Sequence, residues 1–336
     1  LRTLRTLAAS AASVPITLFG LVLITFLIGR VMPIDPVLAI VGDHAPPDVI
    51  AATRQQLGLD EPLITQFWIY LRQLAHGDMG RSVMTSNTVT HDIAQYFPAT
   101  IELATVAIII ATLIGVPLGV LAAVKQRTKI DNAIRVFCLA GHSVPVFLLA
   151  LLSLLIFYAT LGWAPGTGRQ DVALEGMVPE VTGFLTIDAL LAQDWDSFRD
   201  AVAHLMQPAG VLAYFSMAYI ARMTRAFMLD ALHGEYVITA RAKGLSAARV
   251  IWKHAFGNIS VRLITVLALT YAGLLEGAVV TETVFAWPGL GQYLTVSLLN
   301  ADMNAVLGAT LVVGASYLLL NLIADAAYRL MDPRVR

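Results

Sequence analysis

Five apolar runs, at about residues 14–31, 99–124, 134–161, 259–281 and 304–330, constrain this chain more than any motif in it. Each is long enough to cross a hydrocarbon core of about 30 Å, which takes roughly 20 helical residues. A sixth, at about 202–221, is weaker because His204, Gln207 and Pro208 stand near its start. Counting it, the expected fold is all-α: a polytopic membrane protein with six transmembrane helices and helical outer segments. Composition agrees, with 57% hydrophobic and only 13% charged residues, where a soluble domain carries about 25% charged.

Several function classes fall away. A net charge of -1 argues against nucleic acid as the main partner. The single cysteine, Cys138, lies in an apolar run and suggests neither a disulfide nor a thiolate metal site. The seven histidines lack metal-ligand spacing, so no metal site is expected. No Gly-x-x-x-x-Gly-Lys-Ser/Thr run occurs, so no nucleotide is expected to bind this chain through a P-loop. Gly166-Thr-Gly168 stands in a Pro/Gly turn and reads as a loop. No nucleophile–base pair or paired carboxylates appear, hence no catalytic residue and no enzymatic chemistry of its own.

The organisation follows the runs. Residues 1–31 hold a lightly basic start and the first membrane helix. Its small-residue stretch precedes the apolar run rather than following it, which argues against a cleaved signal peptide. Met32-Pro-Ile-Asp-Pro36 ends that helix, and residues 32–98 read as an outer helical segment. Within it, Asp48 to Leu57 forms a helix stopped by Gly58, Asp60-Glu-Pro62 starts another toward Leu74, and His76-Gly-Asp-Met-Gly80 closes it. Residues 99–336 form the core, with an acidic outer loop at 162–201 and a basic loop at 222–259. The apolar piece Gly183–Leu191 makes the outer loop a folded segment. Basic residues concentrate at Arg2 and Arg5, at Lys125, Arg127, Lys129 and Arg135, from Arg222 to Arg262, and at Arg329, Arg334 and Arg336. The positive-inside rule then puts both termini and the 222–259 loop in the cytoplasm.

Polar residues inside spans need a reason. Glu276, in Gly273-Leu-Leu-Glu-Gly277, costs at least about 2.5 kcal/mol at such depth and is expected to face a water-lined path or a subunit seam. The competing reading is a Glu that snorkels near the outer interface, with Glu282 closer to water. Gly115 with Gly119, and Gly273 with Gly277, are small-xxx-small pairs that let helices approach closely, here within the subunit. His142 precedes Ser143 and Pro145, where the proline kinks the helix. It either lines the path or hydrogen-bonds a neighbouring helix. Glu276, His142 and Ser143 are the candidate path residues.

Between spans four and five lies a charged island, His233 to Asn258. Arg241, Lys243, Arg249 and Lys253 alternate with small residues, and Gly244 interrupts two short helices. Such a stretch either fits a groove on another protein or lies against headgroups. Its glycine-centred pattern resembles the cytoplasmic EAA loop of ABC-importer permeases. Ile238-Thr239-Ala240 stands for Glu-Ala-Ala, Gly244 matches the glycine, and His254-Ala255-Phe256-Gly257 stands for Ile-x-Leu-Pro. A narrower pattern is similar to the dipeptide/oligopeptide/nickel group. It comprises Tyr236, Thr239-Ala240-Arg241-Ala242-Lys243-Gly244-Leu245, Arg249-Val250 and His254-Ala255 with Asn258. Pro33-x-Asp35-Pro36, Leu57-Gly-Leu-Asp60, Gly77-Asp-Met-Gly80, Pro98-Ala-Thr100 with Glu102, Arg222-Met-Thr-Arg225, Thr281-Glu-Thr-Val-Phe285 and Asp332-Pro-Arg334 extend it over nearly the whole chain. Thr182-Gly-Phe184 with Ile187-Asp188 resembles the dipeptide-permease branch most. Glu276 falls where relatives often carry a small residue.

The resemblance implies a multi-pass permease subunit in a bacterial inner membrane, importing di- or oligopeptides. It implies a homologous second permease, two cytoplasmic ATPase subunits that hold ATP and Mg, and a periplasmic solute-binding protein. Thr239 to Leu245, Arg249 and His254 then couple to the ATPases. Nickel, glutathione or an opine- or sugar-type solute is the alternative within the class. An ion-coupled secondary transporter, with Glu276 as a proton site, is the alternative outside it.

Overall fold

The computed structural model describes residues 2–31, 36–42, 44–56 and 58–331. The motif positions Pro33, Asp35, Leu57 and Asp332 to Arg334 lie outside them. Among the described residues the chain is helical, and its one β-type pairing is an isolated bridge between Arg81 and Thr88. It divides into two compact units, Leu1–Ala99 with Pro288–Leu318 and Thr100–Trp287 with Leu319–Arg336.

The first unit contains α1 (Arg2–Val31), α2 (Pro36–Val41), α3 (Pro47–Gln56), α4 (Leu63–Ala75) and the start of α5 (Val89–Val124). The stops are those that the sequence announces. Pro47 opens α3 and Gly58, at φ +65°, follows its end. Pro62 caps α4 with extended backbone. Phe67 on α4 meets Phe19 and Phe26 of α1 at centroid distances of 5.7 and 5.3 Å. After α13 (Leu290–Leu299) the chain enters α14 (Met303–Met331). Val89, Ile93, Leu290, Tyr293, Ala305 and Ala309 form the core here. Two buried carboxylates are satisfied by hydrogen bonds, as burial demands. Asp302 accepts from Ser82 Oγ at 2.5 Å and Met84 N at 3.2 Å. Asp92 accepts from Thr85 Oγ1 at 2.6 Å and the Tyr293 hydroxyl at 3.0 Å.

The second unit is built on α9 (Trp195–Leu232), a helix of 38 residues that packs against α6 (Lys129–Ser143), α7 (Val146–Ser153), α8 (Leu185–Leu191) and α12 (Gly257–Val284). Its polar residues turn inward: His204, Gln207, Ser216 and Thr224 are all buried, and Gln207 donates to Ser153 Oγ at 3.0 Å. Gly115 and Gly119 bring α5 onto it. A Cβ on Gly115 would stand 3.1 Å from the Met217 carbonyl, and one on Gly119 would stand 2.6 Å from the Ala221 carbonyl and Thr224 Cβ. The expected packing role of this pair is met.

Three helices among the described residues are long and apolar enough to cross a membrane: Val89–Val124, Ala247–Val284 and Met303–Ala324. Lys129–Ser143 and Val146–Thr160 make a fourth if the pair counts as one span, although it bends by 99°. Pro145 accounts for the break, since it lacks an N–H and pushes Val144 out of the helical region, here to ψ 128°. The first apolar run appears as a shorter apolar stretch, Pro15–Gly29. The run at 202–221 lies inside α9, which starts earlier, at Trp195. Its polar side chains, which weaken the hydropathy signal, are buried, with Gln207 bonded to Ser153 of α7 and His204 to the Asp200 carbonyl of its own helix.

Candidate functional site

The charged island folds as a turn between two helices. α9 ends at Leu232, Gly234 starts α10 (Glu235–Ala242), and Gly244 adopts φ +76°. The Gly244 amide donates to the Arg241 carbonyl at 2.9 Å and the Leu245 amide to the Ala240 carbonyl at 3.3 Å. That is the Schellman arrangement, in which a left-handed residue, here a glycine, satisfies the last helical carbonyls. Ser246 then leads α11 (Ala247–Arg249), which widens into a π-helical turn, Val250–Phe256, and runs directly into α12. The second helix of the island is therefore the head of a span, not a separate piece. No helix-breaking residue intervenes before Gly257, which itself stays helical.

The island has two faces. Val237, Ala240, Val250 and Ala255 are buried with Val116, Val120 and Ala123 of α5 and Met228 of α9. Outward stand Arg241, Ala242, Lys243, Gly244, Arg249 and Thr239, together with Ile238 at 61% exposure and Trp252 at 51%. Leu245 and His254 are half-buried between the faces. A face that couples large exposed apolar groups to cations suits a groove on a partner. The structure thus gathers the predicted coupling residues into one continuous segment.

The path candidates are less closely gathered. His142 and Ser143 are exposed beside the Pro145 break, and the His142 ring stacks on Phe215 at 5.3 Å instead of hydrogen-bonding a neighbouring helix. Glu276 is exposed on α12, with no hydrogen bond or ion pair joining it to either residue. Gly273 and Gly277 flank it, and a Cβ on either would meet nothing within 4 Å. The expected packing of this second glycine pair within the subunit is therefore not seen. With Leu269 and Val280 they form one uncovered face, while Leu263, Val266, Leu274 and Ala278 are buried.

Glu282 corrects an expectation. It is fully buried, not closer to water, and accepts from Thr100 Oγ1 at 2.7 Å. A second buried carboxylate, Glu102, accepts from Arg169 Nη2 at 2.6 Å and from the Thr186 amide at 3.0 Å. Arg169 also donates to the Gly183 carbonyl at 2.7 Å and lies over the Trp287 ring at 5.8 Å. These pairings order the acidic loop. Asp188 completes it by accepting from the amides of Val181, Thr182 and Gly183 and from the Thr182 hydroxyl. Burial pushes the Asp188 carboxyl up, but the Thr182 hydroxyl and these amides outweigh it and hold it below the usual carboxylate range. Sequence reading missed the Glu282 and Glu102 pairs because their partners lie 67 to 182 positions away along the chain.

Two family models cover most of the chain. "Binding-protein-dependent transport system inner membrane component" matches residues 115–336, and the corresponding N-terminal model matches residues 3–104. The chain belongs to this family of transport-system membrane components. The resemblance read from its motifs is borne out by relatives as well. It is 41% identical to the di/tripeptide transport system permease protein DppB of Pseudomonas aeruginosa (strain UCBPP-PA14), over 95% of both chains. It is 38% identical to the dipeptide transport system permease protein DppB of Escherichia coli (strain K12), again over 95% of both. Among solved structures, a chain of the MetNI methionine ABC transporter in inward-facing conformations aligns with TM-score 0.50 at 18% identity, covering 70% of this chain and 93% of that one. At that identity the likeness concerns the fold alone. The family member is an integral inner-membrane component with the helical ABC-permease fold.

Proposed function

We propose that the chain is one permease subunit of an ATP-driven importer of di- and oligopeptides, forming half of the translocation path. Near full-length identity of 41% to a di/tripeptide permease carries the reading. The chain works with a homologous second permease, a periplasmic solute-binding protein and two cytoplasmic ATPase subunits that hold ATP and Mg. It crosses the bilayer six times, with α1, α5, the bent α6–α7 pair, α9, α12 and α14 as spans and both termini in the cytoplasm. The weakly apolar α9 is tolerated there because its polar side chains face other helices.

The outward face of residues 239–249 docks on an ATPase. Because α11 continues through the π-helical turn at Val250–Phe256 into α12, movement of the docked segment passes into a span along one unbroken helical stretch. Binding of ATP can do work only if it favours one of two arrangements of the spans, and a continuous helix transmits that preference. Glu276, His142 and Ser143 line the path. A carboxylate on an uncovered helix face within hydrocarbon calls for water or a polar partner, which a path supplies.

Reconstitution with the partner subunits tests the reading. Uptake that depends on the binding protein is expected for di- and tripeptides and not for nickel or sugars. Gly244→Arg is expected to insert and assemble but to abolish ATP-driven uptake. A left-handed position costs a side-chain-bearing residue about 1–2 kcal/mol, and the new side chain occupies the docking face. Peptide uptake retained in that variant would remove the coupling role, and peptide-independent transport of another solute would remove the substrate assignment.

A further inference from the structure

The cleft between α6 and α9, which the path candidate His142 also lines, carries a basic chemistry that the proposed function leaves unused. It encloses about 460 Å³, and three of its lining residues are arginines: Arg135, Arg222 and Arg225. No acidic side chain lines it. Arg225 is already neutralised, since its Nε and Nη2 donate to the two carboxylate oxygens of Asp131 at 2.8 and 2.9 Å. Asp131 Oδ2 also accepts the Arg127 amide at 3.0 Å, so that carboxylate already serves three donors. Arg135 and Arg222 are left without a carboxylate at ion-pair distance among the described residues. Arg222 only lies over the Tyr219 ring, at 5.5 Å.

Apart from Asn132 and His142, the remaining walls are apolar. Val136 and Leu139 on α6 are 67% and 65% exposed, and they face a ligand-sized space rather than another helix of this chain. Depth matters as well. Arg135 stands six residues into α6 from Lys129, and Arg222 ten residues before the end of α9 at Leu232. At 1.5 Å per residue these are about 9 and 15 Å from helix ends that carry basic loops. On the proposed topology both guanidiniums lie toward the cytoplasmic ends of their helices, where a bilayer offers phosphates above and acyl chains below.

We propose that this cleft is a binding site for an anionic phospholipid, with its phosphate between Arg135 and Arg222 and an acyl chain along Val136 and Leu139. Guanidinium forks match phosphate oxygens two at a time, and basic pockets between membrane helices suit such headgroups. A free phosphate would use the arginines but leave the apolar walls bare. A neutral lipid would fill the walls but leave two cations unpaired.

The full transporter, extracted from vesicles of phosphatidylcholine with and without phosphatidylglycerol, provides the test by native mass spectrometry of retained lipid. The wild type is expected to keep phosphatidylglycerol in preference to phosphatidylcholine. Arg135→Gln with Arg222→Gln is expected to lower that retention roughly 25-fold, about fivefold per arginine. If the double variant fails to assemble, Arg135→Gln alone serves, because that exposed side chain makes no hydrogen bond in the structure. Arg135→Lys with Arg222→Lys is expected to restore part of the retention. Equal retention of both lipids, undiminished phosphatidylglycerol in the Gln variants, displacement by inorganic phosphate, or a cleft emptied of lipid by the second permease would each overturn the assignment.

Discussion

Two glycine pairs with identical spacing meet opposite fates in the second unit. Gly115 and Gly119 are pressed against backbone and side chains of α9, whereas Gly273 and Gly277 look onto open space. The same contrast recurs with two glutamates six residues apart on α12: Glu282 is buried and bonded to Thr100, and Glu276 is exposed. Spacing and residue type therefore say only that a close approach or a polar contact exists. Whether it is made inside the subunit or left for something else is decided by which face of the helix the neighbouring helices cover. On the covered side, small residues and carboxylates are structural. On the uncovered side of α12, the same residue types are free to serve a path or a partner.

The sharpest way to break this contrast is Gly119→Leu. A side chain there must displace the Ala221 carbonyl and Thr224, and overpacking of this kind costs about 1–3 kcal/mol or more. A clear drop in the detergent melting temperature and in yield is expected, and an unchanged melting profile would refute the close seam. Glu282→Ala comes next, with an expected loss of about 2–3 kcal/mol from a cavity and a buried hydroxyl left without its acceptor. Chemical denaturation of the purified chain measures it. The smallest stability effects belong to the open face. Gly273→Ala, Gly277→Ala and Glu276→Ala are expected to change stability by no more than about 1 kcal/mol, with the two alanines mildly stabilising through helix propensity. Glu276→Ala is nevertheless expected to alter peptide uptake or solute preference. Unchanged uptake kinetics across several peptides would return Glu276 to a bystander, and a large stability loss would show that its face is covered after all.

Much of the local structure was legible in the residues. Gly58, Pro62, Gly244 and Pro145 mark a stop, a start, a left-handed turn and a break, because each limits its own backbone angles whatever surrounds it. The turn at Gly244 was legible for the same reason, with charges interleaved among small residues around one glycine. What could not be read depends on partners distant along the chain. Glu282 is secured by a hydroxyl 182 positions away, and Arg225 by a carboxylate 94 positions away. The burial of polar groups on α9 was hidden similarly, since hydropathy registers what a residue is and not what it faces. The size of the bend at Pro145 also escaped, because a proline permits a kink without setting its angle.

The length of α9 has a mechanical consequence. Thirty-eight residues at 1.5 Å each make a rod of about 57 Å, nearly twice the thickness of the hydrocarbon it would traverse. One end is capped by Asp194 beside the ordered acidic loop, and the other delivers the chain through His233 and Gly234 into α10. Tilting about its middle by about 5° would move each tip of such a helix by roughly 2.5 Å, in opposite directions, with Pro208 inside it as the point where it can bend. A small push at the α10 end would then be carried toward the loop held by Arg169 and Asp188, less whatever bend Pro208 takes up.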